Sequence, residues 1–145
     1  DPSLCGSFTG IRATHTKAHF TRAVLEGVAY SLLDSKLYLD SLNIPYNNIA
    51  TAIGGGTKGK LWRQMISDAL GITLKTTESS DSSLGSAMLA GIAMGVFDSA
   101  EDAVKKCVKE KDITYPNPEK TKEYRKVFET YKKIHDALAP IYNER

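Results

Sequence analysis

The chain has 145 residues, 41% hydrophobic and 25% charged, which are ordinary values for one globular domain able to bury a core. A formal net charge of +2 with no acidic or basic tail argues against nucleic acid as a partner. Cys5 and Cys107 lie far apart, with neither metal-ligand nor disulfide-scaffold spacing, so reduced thiols in a cytoplasmic protein are expected. The longest apolar stretch, Ala87 to Phe97, contains Gly91 and Gly95 and is far short of the ~18 residues of a membrane span.

The opening DPSLCGSFTG lacks the basic start and apolar core of a signal peptide, and its loop-like composition reads as cut from something longer. Residues 1–16 are expected to be a connecting loop. From Lys17 to Leu42, Phe20, Val24, Leu25, Val28, Leu32, Leu39 and Leu42 recur mostly every three or four positions. This spacing predicts one apolar stripe on a helix of roughly 39 Å. Pro45 in NIPYNN forbids continuation, and Ile49–Ile53 follows as a short strand.

Lys60–Leu70 reads as a helix with Leu61, Trp62, Met65, Ile66, Ala69 and Leu70 on one face and Gly71 as its stop. Ile72–Thr76 is a second strand, and Ser79–Ser83 is a polar connection rich in candidate N-caps. The helix expected over Leu84–Val96 is dense in Gly, Ser and Ala, which predicts close packing of another element on its backbone. A short charged helix over Glu101–Lys109, a break at YPNPEK and an amphipathic helix over Glu119–Leu138 complete the chain. The Lys-rich side of that last helix reads as a solvated face. No repeat or low-complexity segment is evident.

Helix, strand, helix, strand, helix in this order predicts a parallel α/β arrangement. Two short strands make a poor sheet, so further strands are expected upstream or hidden in the chain.

The stretch IATAIGGGTKGKLWRQM (residues 49–65) carries two overlapping nucleotide motifs. Gly54-x4-Gly59-Lys60 fits a P-loop until its last position, where Leu61 stands in place of the Ser or Thr that holds Mg2+. Gly54-x-Gly56-x-x-Gly59 fits a dinucleotide fingerprint, with Glu78 about the right distance downstream for a ribose. A long helix before the strand and Lys60 after the third glycine argue against it. Some other nucleotide loop, or a purely structural turn, remains open on these patterns alone. His15 and His19, four apart, invite a zinc reading, but without the Glu of H-E-x-x-H or a third ligand they are assigned to the start of the first helix.

Three blocks extend the comparison beyond the glycines. RAVLEGVAYSLLD at 22–34, GGGTKGKLWRQMISDALG at 54–71 and ESSDSSLGSAMLAGIAMG at 78–95 resemble, in order and spacing, the C-terminal part of the FGGY carbohydrate kinases. Residues 1–19 resemble the family's connecting stretch. The resemblance implies a helix-rich part of a ribonuclease-H-like, actin-like ATPase lobe, an α/β unit with short parallel strands. It implies a nucleotide-binding part over 17–98 and a C-terminal helical segment over 99–145.

The resemblance further implies ATP and Mg2+ as cofactors of the complete enzyme, and phosphorylation of D-xylulose, with gluconate or another pentulose as the alternative. Gly54, Gly55 and Gly56 would lie beside the nucleotide, with Thr57 and Lys58 at the rim and Gly59 the last of the six nucleotide-binding residues implied. Where the family often has Ser or Asn able to bond adenine, this sequence has Gly59, which offers no side chain for that contact. No catalytic base and no metal ligand is expected among these residues. The implied partners are the N-terminal lobe and upstream strands of the same enzyme and a sugar, with no nucleic acid and no membrane, and self-association into a homo-oligomer is expected. Trp62 is expected to pack in the core and Asp68 to be a structural hydrogen-bonder. A dinucleotide-binding module and a non-catalytic interaction domain are the competing readings from other classes.

Overall fold

The computed structural model describes residues 5–79 and 82–143. Residues 1–4 of the expected connecting loop, and Ser80 and Asp81 of the expected connection Ser79–Ser83, lie outside the described residues. Among the described residues, five helices, three strands and a short 3-10 turn follow in the order α1 (Lys17–Ser41), β1 (Ile49–Thr51), the turn Gly55–Lys58, α2 (Lys60–Leu70), β2 (Thr73–Thr77), α3 (Ser82–Ala93), α4 (Ala100–Cys107), β3 (Glu110–Thr114) and α5 (Pro118–Asn143).

Helix boundaries follow local chemistry. Thr16 and His19 form a reciprocal capping box at the start of α1, with the His19 ring nitrogen Nδ1 accepting from the Thr16 amide at 3.1 Å. His15 stacks on His19 at 5.3 Å and accepts from the Arg12 amide, so both histidines do belong to the loop-to-helix junction. Gly71 ends α2 in the left-handed conformation at φ 68°, with its amide donating to the Ser67 carbonyl at 2.8 Å. At α5, Pro118 takes the first helical position and the Asn117 side chain accepts from the Glu119 and Lys120 amides.

β2 is central in the sheet order β1-β2-β3. It runs parallel to β1, with Ile49 opposite Thr73 and Thr51 opposite Lys75, as the strand–helix–strand order requires. β3 is the strand missing from the sequence reading, and it pairs antiparallel to β2, with Leu74 opposite Thr114 and Thr76 opposite Asp112. The sheet is therefore mixed rather than parallel throughout. EKDIT hides its strand character because Glu, Lys and Asp are poor strand formers, yet such charges suit an edge strand. The first strand is also shorter than expected, ending at Thr51 rather than Ile53, while α3 stops at Ala93 rather than Val96 and α4 at Cys107 rather than Lys109.

The core is built around α2. Its Ile66, Ala69 and Leu70 pack with Ala29, Tyr30 and Leu33 of α1, Ile72 and Leu74 at β2, and Tyr124 and Phe128 of α5. Most of the stripe expected on α1 does not face this core. Phe20 and Leu25 are half-buried, but Val24, Val28, Leu32, Leu39 and Leu42 are exposed, and the buried face is Ala29, Tyr30 and Leu33. α1 carries two apolar faces, and a spacing rule picks the more aliphatic one although the aromatic-small face is the one α2 and α5 cover. α3 and α4 form a satellite in which Phe97 fills the space at Gly91, where a Cβ would lie 2.6 Å from the ring. That ring belongs to the turn directly after α3 rather than to another element, nothing lies within 4 Å of a Cβ at Gly85, and no described residue of α3 is buried, so the close packing of another element expected on α3 is not seen among the described residues.

Candidate functional site at the glycine loop

The loop between β1 and α2 starts with Gly54 at φ 92°, a conformation that a side chain would strain, and then turns through Gly55–Lys58. Thr57 closes the turn on itself, its amide and hydroxyl both donating to the Gly54 carbonyl at 3.3 and 2.8 Å. Gly59 then caps α2, its carbonyl accepting from the Arg63 amide at 3.0 Å. Gly54, Gly55, Gly56, Lys58 and Gly59 are exposed and Thr57 is half-buried, so all six residues expected beside a nucleotide share one accessible loop.

The glycines are not equivalent. A Cβ on Gly55 would meet nothing within 4 Å, which leaves the backbone open to an approaching ligand. On Gly56 it would overlap the Trp62 ring. Trp62 is fixed in turn by its indole N–H, which donates to the Leu25 carbonyl of α1 at 3.3 Å, and it packs on the core as expected. The space at Gly59 is roomy, the nearest atom to a Cβ being the Gly56 carbonyl at 4.0 Å.

Behind the loop lies a feature the motif reading missed. Arg63 is buried, and its guanidinium donates to the Thr57 carbonyl at 2.8 Å, to the Thr114 hydroxyl at 3.0 Å and to the Asp112 carboxylate at 3.3 Å. An arginine among the apolar residues of Lys60–Leu70 was the available signal, since a buried charge requires partners. Asp68 accepts from the Asn117 amide at 2.7 Å and from the Gln64 side chain at 2.8 Å, tying α2 to the start of α5. It is the structural hydrogen-bonder expected. A shallow cavity of about 480 Å3 lined by Lys60, Arg63, Gln64 and Asp112 to Tyr115 lies on the β3 side of the loop. A larger one of about 690 Å3 lies far from the glycines, between Asp34–Leu39 and Lys132.

The segment GGGTKGKLWRQMISDALG thus forms an open loop at the carboxyl end of a parallel strand, followed by a helix that presses Trp62 and Arg63 against it. Residues 1–94 match the model of the FGGY family of carbohydrate kinases, C-terminal domain. The chain belongs to this family. It is 36% identical over 136 residues to a xylulose kinase of Staphylococcus epidermidis, covering 93% of this chain and 27% of that protein.

Among solved structures, a gluconate kinase from Lactobacillus acidophilus matches this FGGY domain with a TM-score of 0.87 at 27% identity, and a ligand-bound xylulose kinase from the same organism matches with 0.87 at 28%. Each match covers 99% of this chain and 29% of the other. A Plasmodium falciparum glycerol kinase solved with ADP gives 0.76 at 26% identity, over 91% of this chain and 26% of that one. The chain therefore spans little more than a quarter of the length of these relatives. Its helix-rich α/β build with a small mixed sheet is that of the C-terminal lobe in FGGY kinases.

Among the described residues no cluster of three or more histidines, cysteines or carboxylates could hold a metal ion, and no helix is long and apolar enough to cross a membrane.

Proposed function

We propose that this domain is the nucleotide-side part of an ATP-dependent sugar kinase that phosphorylates D-xylulose, giving ADP and D-xylulose 5-phosphate. The observation that carries this reading is the open backbone of Gly54 and Gly55 at the carboxyl end of β1, the position where open α/β sheets take ligands. The xylulose kinase relatives and the ADP-bound glycerol kinase support it. In the reaction the sugar hydroxyl oxygen attacks the γ-phosphorus as the bond to the β-phosphate oxygen breaks, so catalysis is chiefly positioning and charge stabilisation.

The share assigned to these residues is to seat the adenosine end on the loop backbone, with the exposed Lys58 and Lys60 adding positive charge alongside. The base that takes the hydroxyl proton and the groups that hold Mg2+ are assigned to the rest of the enzyme, which would also cover the outer face of α1. A coupled assay of the full-length protein across ketoses and aldonates tests the substrate. D-xylulose turnover is expected, preference for gluconate would move the assignment within the family, and no phosphorylation of any sugar or sugar acid would overturn it.

One observation favours a dinucleotide reading: Glu78 directly follows β2, where the fingerprint puts its ribose-binding carboxylate. Calorimetric titration of the full-length protein with ADP and with NAD separates the two. Binding of ADP alone is expected, and tighter binding of NAD would replace the kinase reading.

A further inference from the structure

We infer that Arg63 is a positioning residue for the nucleotide, holding the glycine loop in shape by tethering it to β3. This rests on the kinase reading above. The loop is exposed over Gly54–Gly56, and its own bonds only close it on itself, Thr57 onto Gly54. Its orientation relative to the sheet needs a tie from outside. Arg63 supplies that tie, with Nη1 on the Thr57 carbonyl, Nε on the Thr114 hydroxyl and Nη2 on the Asp112 carboxylate.

Arg63 is 5% exposed, its bond to the Thr114 hydroxyl is buried and those to Thr57 and Asp112 are part-buried, and the planar fork serves three acceptors on two elements at once. A lysine has one nitrogen and could not span them. The family match ends at residue 94, so the acceptors on β3 lie in a part of the chain that the match does not cover. β3 would thereby do more than widen the sheet. Through Asp112 and Thr114 it sets where the loop amides stand when ATP arrives.

The test uses full-length protein carrying Asp112→Ala, Asp112→Asn, Thr114→Val or Arg63→Lys. Thr114→Val keeps the β-branched shape of the strand residue, and Asp112→Asn keeps an oxygen acceptor, so both variants are expected to fold. Without ligand, amide hydrogen exchange over Gly55–Lys58 should quicken in Asp112→Ala, Thr114→Val and Arg63→Lys, while exchange in the middle of α2 stays as in wild type. With substrates, the KM for ATP should rise about threefold to tenfold in those three, with the sugar KM and kcat at saturating ATP unchanged, and Asp112→Asn should recover most of the loss.

A purely structural role for Arg63 would lower thermal stability without moving the ATP KM at a temperature well below the transition. An unchanged ATP KM in Asp112→Ala and Thr114→Val therefore overturns the proposal, whatever the loop exchange shows. Wild-type protein that neither binds nor turns over ATP would overturn the kinase reading and the nucleotide role with it, and the exchange data alone would then decide whether Arg63 holds the loop.

Discussion

At Gly56 a methyl group would overlap the Trp62 ring, whereas at Gly55 it would meet nothing within 4 Å. Trp62 has little freedom to yield, being bonded to Leu25 and packed on the core. Gly56→Ala should therefore act on the fold, costing about 1–3 kcal/mol as other overpacked sites do. The fall in Tm that accompanies it is to be read by calorimetry of the full-length protein. Gly55→Ala should leave Tm within a degree or so and raise the ATP KM instead, because its methyl projects into the open side of the loop. Substitution of Gly54 confounds the two, since φ 92° adds backbone strain to any crowding of a ligand. A Tm loss in Gly55→Ala equal to that in Gly56→Ala would show that the two positions are not separable in this way.

At the scale of elements, α1 and α5 meet through an aromatic cluster in which Tyr30 lies 5.9 Å from Tyr124 and 5.3 Å from Tyr131. Burial raises the Tyr30 hydroxyl well above the usual tyrosine range, and the nearby Glu26 carboxylate raises it further. The Tyr124 hydroxyl, which donates to Glu26 at 3.3 Å, is raised for the same reasons. In the unfolded chain both phenols ionise near their ordinary value of about 10. Below that pH neither state gains or loses these protons differently, so their contribution is complete. Above it the unfolded chain holds fewer protons than the folded one, and stability must fall as pH climbs toward the folded values. Urea midpoints followed from about pH 8 to about pH 11 should be level in this respect at first and then decline, and Tyr30→Phe should make the decline shallower. An equally steep decline in Tyr30→Phe would count against this cause. The elements themselves were largely legible, because Pro45, Gly71 and the 3.6-residue spacing act locally. β3 was not, because its strand character comes from pairing with β2 and not from the residues Glu110–Thr114.

For the whole molecule, the outer face of α1 leaves Val24 53%, Val28 42%, Leu32 43% and Leu39 44% exposed, and Leu89, Met94 and Val96 around α3 are more exposed still. Contiguous apolar surface of this kind is covered in stable proteins. The 145-residue chain on its own is therefore expected to self-associate in sedimentation velocity. Val28→Lys with Leu32→Glu, which place opposite charges at helical spacing on that face, should shift it toward monomer without loss of helix content. A monodisperse wild-type monomer would show that these faces need no cover.

Sequence alone was enough for the glycine turn and the two parallel strands, since Gly54, Gly55 and Gly56 stand between a β-branched run and an amphipathic helix, while the family came from the resemblance of the blocks at 22–34, 54–71 and 78–95 and not from that order. It was also enough to place Asp68 as a structural group and His15 and His19 at a helix start. Which side of α1 is core, which strand completes the sheet and which residue holds the loop were decided only in three dimensions. Periodicity finds an apolar face but not what will cover it, and Arg63 shows its role only once folding brings Thr57, Asp112 and Thr114, up to 51 positions away, within hydrogen-bond reach of one guanidinium.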